Sequence, residues 1–273
     1  MYDVLIQAQI HLSGDILAKI IAVANQKGGV GKTTSAVNIA AALGFNKKKT
    51  LLIDVDPQGN ATSGVGIDKR AVKHTTYDLL VSDTKAQEII IQTPFDNLYV
   101  MPSGIDLAAA ELEIMDFENR SYRMKQAIVS IKSEFDYIVI DCPPSLGLIT
   151  TNALTASDTI LVPIQCEYYA LEGLSQLMNT VRRVKRQTNP HIDIEGVLLT
   201  MYDGRLNLTQ QVVTEVKRFF PKKVFSTVIP RGVRLSEAPS FGMPVIYYDK
   251  SCKGAHAYLD LVDEILKKER QYG

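Results

Sequence analysis

Six residues of this chain could act together on a phosphate group: Lys27, Lys32, Thr33, Asp54, Asp56 and Asp141. The first three fall within Gln26-Lys27-Gly28-Gly29-Val30-Gly31-Lys32-Thr33-Thr34. Glycines at 28, 29 and 31 let backbone N–H groups converge on an anion with no Cβ in the way. Lys32 offers a mobile cation for the outer phosphates of a nucleotide. The Thr33 hydroxyl can bind the Mg²⁺ that travels with it. Gly28, Gly29, Val30, Gly31, Lys32, Thr33 and Thr34 are therefore the candidate nucleotide cradle.

That chemistry needs a strand before the loop and a helix after it. Residues 20–24 are an apolar run that reads as a buried strand, and residues 35–43 are rich in alanine and read as a helix. The helix N-terminus adds its partial positive charge behind the phosphates. Asp141 ends another apolar strand, over residues 136–141. Once the loop is granted, it stands where an acid holds Mg²⁺, usually through water, in phosphate-loop ATPases. Asp54 and Asp56 end a strand over residues 50–56. Their alternate spacing puts both carboxylates on one face unless the strand stops between them. The alternative for either is a strand-end acid that caps a loop.

Further strands are expected over residues 98–102, 159–164, 196–200 and 224–229. Helices are expected over 107–117, 122–131, 171–186, 208–220 and 255–268, and one helical turn over 78–81. Residues 57–62 read as a loop. Strands alternating with helices along the whole length predict an α/β fold: one domain, with a mostly parallel twisted sheet and helices on both faces. The domain is expected to span 19–273. Residues 1–18 read as an extension, disordered or loosely docked.

The chain has 273 residues, 46% of them hydrophobic, and 30 Lys+Arg balance 30 Asp+Glu. Zero net charge excludes a global field toward nucleic acid or membrane, so such binding would need a local patch. No apolar run reaches membrane-spanning length and no secretory pattern is present, which points to the cytoplasm. Cys142, Cys166 and Cys252 are scattered, without the C-x-x-C spacing of a zinc or iron–sulfur site. Basic residues gather at Arg182-Arg183-Val184-Lys185-Arg186, at Arg205, and at Arg231 and Arg234. Such clusters either contact DNA phosphates or form a solvated helix face.

The loop departs from the usual G-x-x-x-x-G-K-[ST] pattern, with Gln26 at the first glycine position and an extra lysine, Lys27. Lys27-Gly28-Gly29-Val30-Gly31-Lys32-Thr33-Thr34 resembles the deviant loop of the ParA/MinD group of ATPases. Asp54-x-Asp56-Pro57-Gln58 and Asp141-Cys142-Pro143-Pro144-Ser145-Leu146-Gly147-Leu148 resemble the chromosomal ParA proteins of the Soj type. So do Gln165-Cys166-Glu167-Tyr168-Tyr169-Ala170-Leu171-Glu172-Gly173-Leu174 and Pro230-Arg231-x-Val233-Arg234-Leu235-Ser236-Glu237-Ala238-Pro239-Ser240. The likeness runs from Lys19 to about Leu266.

The resemblance implies a slow, Mg²⁺-dependent ATPase that dimerises with ATP. Lys27 would reach across the dimer to the partner's nucleotide. Asp56 would position the attacking water, with Asp54 near the metal. Met201, Pro230, Arg231 and Val233 would hold adenine. Arg205 and Arg234 would contribute to nonspecific binding of double-stranded DNA by the ATP dimer. A ParB-type centromere-binding partner would speed hydrolysis, and the protein would act at the nucleoid in chromosome or plasmid partitioning.

Three rival readings remain. A MinD-like membrane switch would need a C-terminal amphipathic helix free to leave the body, but residues 258–268 carry acids in mid-helix and are expected to pack on the sheet. No stable membrane association is therefore expected. A nitrogenase-reductase-like electron carrier would need cysteines arranged around a cluster, surroundings that Cys142 and Cys166 lack. A nucleotide-binding scaffold without turnover is opposed by Asp56.

Overall fold

Apolar runs with few polar interruptions make strands that can be buried on both faces, as a parallel sheet requires. The computed structural model describes residues 17–167 and 170–272, leaving aside the side chains of 170–172, 271 and 272. The expected extension falls mostly outside these residues, as does the Tyr168-Tyr169 pair. Ala18 already belongs to the body: it is buried and donates its N–H to Lys132 O at 2.8 Å.

Among the described residues one sheet has eight strands: β1 Lys19–Val23, β2 Thr50–Asp54, β3 Ile91–Gln92, β4 Leu98–Met101, β5 Tyr137–Asp141, β6 Thr159–Gln165, β7 Asp193–Tyr202 and β8 Val224–Pro230. Their order is β3-β4-β2-β5-β1-β6-β7-β8, and every pair is parallel except β3 with β4. β1 lies between β5 and β6, where the order reverses. Ligands sit outside the carboxyl ends of parallel strands at such a switch point.

Alternate residues of each strand serve opposite cores. Ile20, Ala22, Ile138 and Ile140 pack on the face covered by helices α2 Leu148–Ala156, α3 Ala170–Gln187 and α4 Asn207–Phe219. Ile21, Val23, Val139 and Leu161 pack on the other face, under α5 Lys253–Tyr272 and the helix after the glycine loop, α1 Lys32–Phe45, here called the loop helix. Small residues, Ala36, Ala40, Ala41 and Ala42, let the loop helix lie close on the sheet.

Several expected elements shift. The strand expected over 50–56 stops at Asp54, so Asp54 and Asp56 do not share a strand face. Residues 60–62, expected in a loop, belong to a short helix, Asn60–Gly64. The helices expected over 107–117 and 122–131 are shorter, at Leu107–Glu113 and Arg123–Ile128. α2 has no counterpart among the expected helices. Its sequence, Leu-Ile-Thr-Thr-Asn-Ala-Leu-Thr-Ala, is rich in β-branched residues with low intrinsic helix preference. Nearly all of it is buried, so it lacks the polar stripe that marks an amphipathic helix.

Candidate active site

Glycine is required where the loop turns into its helix. Gly29 and Gly31 have φ of 74° and 84°, the left-handed region that L side chains avoid, and Gly31 caps the loop helix with that conformation. The loop is then tied to β7, because the Thr200 hydroxyl donates to Val30 O at 2.9 Å. Asn25 steadies the other end, donating to Pro163 O at 2.7 Å and accepting from Lys27 N–H at 3.1 Å. Neither Thr200 nor Asn25 has a sequence signal beyond its place at a strand end.

Lys32 is buried and turns back over the loop, with Nζ 3.0 Å from Lys27 O. Burial lowers its pKa, against the fields of Asp141, Cys142 and Asp56. Asp141 faces it from the end of β5. Asp54 and Asp141 stand side by side in the β2–β5 register. Burial pushes both carboxyls up, Asp54 to about 6, and Asp54 adds its charge to the upward push on Asp141.

The two acids nevertheless differ. Asp54 has both oxygens engaged: Oδ2 accepts from Thr62 N at 2.8 Å and Thr62 Oγ at 2.7 Å, and Oδ1 accepts from Asp56 N at 3.1 Å. Both oxygens of Asp141 are buried and complete no hydrogen bond, although the Thr33 hydroxyl is near enough to favour its charged form. An orphaned buried carboxylate beside a hydroxyl and a phosphate loop is the donor set a hard divalent cation takes. Thr33 and Asp141 fit Mg²⁺ on this ground, and Asp54 acts as the anchor of the turn that follows. That turn carries Asp56, half-buried, whose Oδ1 accepts from Gln58 N at 3.0 Å.

Beside the loop lies a cavity of about 420 Å³, lined in part by Gly31, Thr34, Met201, Pro230, Arg231 and Tyr258. Met201, Pro230 and Arg231 thus meet the phosphate loop, whereas Val233 is 71% exposed and outside the lining. Met201, one residue before the end of β7, takes a φ of 49°. Tyr258 reaches in from α5 and shares a 3.1 Å hydrogen bond with Ser35; sequence reasoning missed both.

Arg205 is exposed and donates to Asp203 from Nε and Nη2, at 2.9 and 2.6 Å. Arg234 pairs with Glu237 at 2.9 Å and Asp249 at 3.2 Å. Both arginines stand past the carboxyl ends of β7 and β8. Cys142 and Cys166 are buried, and burial pushes their thiols up, Cys166 to about 11.

A family model described as an AAA domain matches residues 18–194. The sporulation initiation inhibitor protein Soj of Bacillus subtilis is 57% identical over 249 residues, covering 91% of this chain and 98% of that protein. The chain belongs to the ParA/Soj family of phosphate-loop ATPases. The chromosome partitioning protein ParA of Myxococcus xanthus is 51% identical, over 93% of this chain and 89% of its own length. Among solved structures, a cobyrinic acid a,c-diamide synthase from Mycobacterium smegmatis with bound ADP and magnesium superposes with a TM-score of 0.82. It is 34% identical, with 93% of this chain and 96% of that one covered. The fold of this ParA/Soj chain is thus that of phosphate-loop ATPases.

Proposed function

We propose that this ParA/Soj ATPase is an ATP-dependent dimerisation switch that binds DNA without sequence preference and partitions chromosomes or plasmids. ATP and Mg²⁺ are its cofactors. The observation that carries the reading is the loop itself: a complete phosphate cradle with one lysine, Lys32, turned inward and a second, Lys27, turned away from it to Glu167.

In the proposed cycle the loop N–H groups and Lys32 hold the phosphates, and the base enters the cavity past Met201, Pro230 and Arg231. Thr33 and Asp141 would hold Mg²⁺, which supplies charge neutralisation on the phosphates when bound. Asp56 orients the water for in-line attack, and Asp54 fixes the Asp56 backbone from behind. Lys27 of each subunit serves the partner's nucleotide. Dimerisation brings two sets of Arg205 and Arg234 onto one duplex, so a weak patch binds by avidity. A ParB-type partner that speeds hydrolysis ends the bound state.

A membrane-switch reading finds no support in the C-terminal helix. Ala255, Tyr258, Leu261, Val262 and Ile265 of α5 are buried against the body, and no described helix is long and apolar enough to cross a membrane. Sizing the protein with ATP, ADP and no nucleotide, with and without duplex DNA, tests the proposal. A dimer with ATP alone that binds DNA is expected. DNA binding equal in all three states would overturn it.

A further inference from the structure

Lys27 is already engaged within its own subunit. Its Nζ lies 3.3 Å from Glu167 Oε2, just past the end of β6. Glu167 is oriented in turn by Gln165, whose Nε2 donates to Oε1 at 2.5 Å. The start of α3 closes in behind: a Cβ at Gly173 would lie 3.3 Å from Asn25 Oδ1 and 3.5 Å from Lys27 Cβ. Asn25 holds the Lys27 backbone on the same side. The lysine is therefore held by its main chain, its stem and its charge against the β6–α3 junction.

A lysine required across a subunit boundary cannot remain on this acid. We infer that Glu167 is a positioning residue: it latches Lys27 in the single subunit and must release it for the ATP dimer to form. The inference rests on Lys27 acting in trans. The pair is partly exposed, 28% and 50% at the two side chains, which makes the latch weak and quickly reversible. Weakness suits the task, since a tight pair would bar the dimer. Two latches open per dimer, so a bias of about twofold per subunit becomes about fourfold in the dimerisation constant.

The test uses Glu167→Gln, which removes the charge and keeps the size at a half-exposed site. Sedimentation with a saturating non-hydrolysable ATP analogue reads the protein concentration at half-dimerisation. That midpoint is expected to fall about threefold to fivefold against the parent chain. Lys27→Ala is measured in parallel. If Lys27→Ala dimerises like the parent, the trans role is wrong and the latch falls with it. If Lys27→Ala stays monomeric while Glu167→Gln keeps the parent midpoint, or needs a higher one, the trans role stands and the latch alone is overturned. Nucleotide affinity is read on Glu167→Gln at concentrations where it is monomeric. An affinity gain as large as the midpoint shift would also overturn the latch, since Glu167 would then act on ATP binding and not on Lys27.

Discussion

Replacing Gly31 with alanine isolates the backbone's share of nucleotide binding. Gly31 sits at φ 84°, and a Cβ there would meet only Thr200 Cγ2 and Cβ, at 3.8 and 3.9 Å. Those are ordinary contacts, so crowding contributes little. The cost of the substitution is conformational: an L residue in the left-handed region loses roughly 1–2 kcal/mol. The loop can escape that cost by relaxing to another conformation, but only by turning its N–H groups away from the phosphates. Nucleotide binding must then restore the strained form, and affinity should drop by about fivefold to thirtyfold. ATP and ADP should weaken alike, because the cradle holds the phosphates they share. Titration calorimetry of Gly31→Ala against the parent, with both nucleotides, measures this. Affinities within twofold of the parent would refute the reasoning. A loss confined to ATP would show that the added methyl touches the γ-phosphate region instead.

Other outcomes follow from the same geometry. Asp56→Ala should still bind ATP, but steady-state turnover should drop on the order of a hundredfold, since water is no longer oriented; undiminished turnover would move the role elsewhere. Arg205→Glu should cut DNA binding in a filter or anisotropy assay while leaving ATP-dependent dimerisation intact, and parental DNA binding should weaken steeply with salt. At Arg234 the milder Arg234→Gln is the fair test, because a glutamate would join Glu237 and Asp249. Unchanged DNA affinity in both would reduce these arginines to solvated surface. Glu264 of α5 accepts from Ser226 N at 3.0 Å and Thr227 N at 3.1 Å on the exposed edge of β8. Burial raises its carboxyl, yet these N–H groups and Lys268 bring it below the usual glutamate value of 4.5. A lowered folded pKa stabilises fully above the unfolded value and is lost as pH falls through the folded one. Glu264→Gln should therefore cost about 1 kcal/mol at pH 7 after allowance for solvent screening, and the gap in thermal melts should close in acid; a gap independent of pH would contradict this.

The sequence by itself determined the phosphate loop, its flanking strand and helix, and the mostly parallel sheet. These features are local: glycines that permit left-handed backbone, a lysine and threonine at fixed spacing, and apolar runs of strand length. It also placed Asp54 and Asp141 at strand ends, because each closes such a run, and Asp56 two residues further on. The division of labour among the three acids was decided only in three dimensions. β2 stops at Asp54, so Asp54 turns inward to Thr62, eight residues ahead, while Asp56 leaves the sheet. Asp141 is left without a donor because its sheet neighbours, Val23 of β1 and Asp54 of β2, both far away in the chain, offer none from their side chains. α2 was illegible for a related reason. Its β-branched residues prefer extended backbone, and burial by the tertiary fold overrides that preference. The contacts that join remote segments at the site, Thr200 to Val30, Tyr258 to Ser35 and Glu167 to Lys27, span 170, 223 and 140 residues. No local pattern can report such pairs; they exist because the sheet order brings the ends of β1, β6 and β7 together and α5 returns across them.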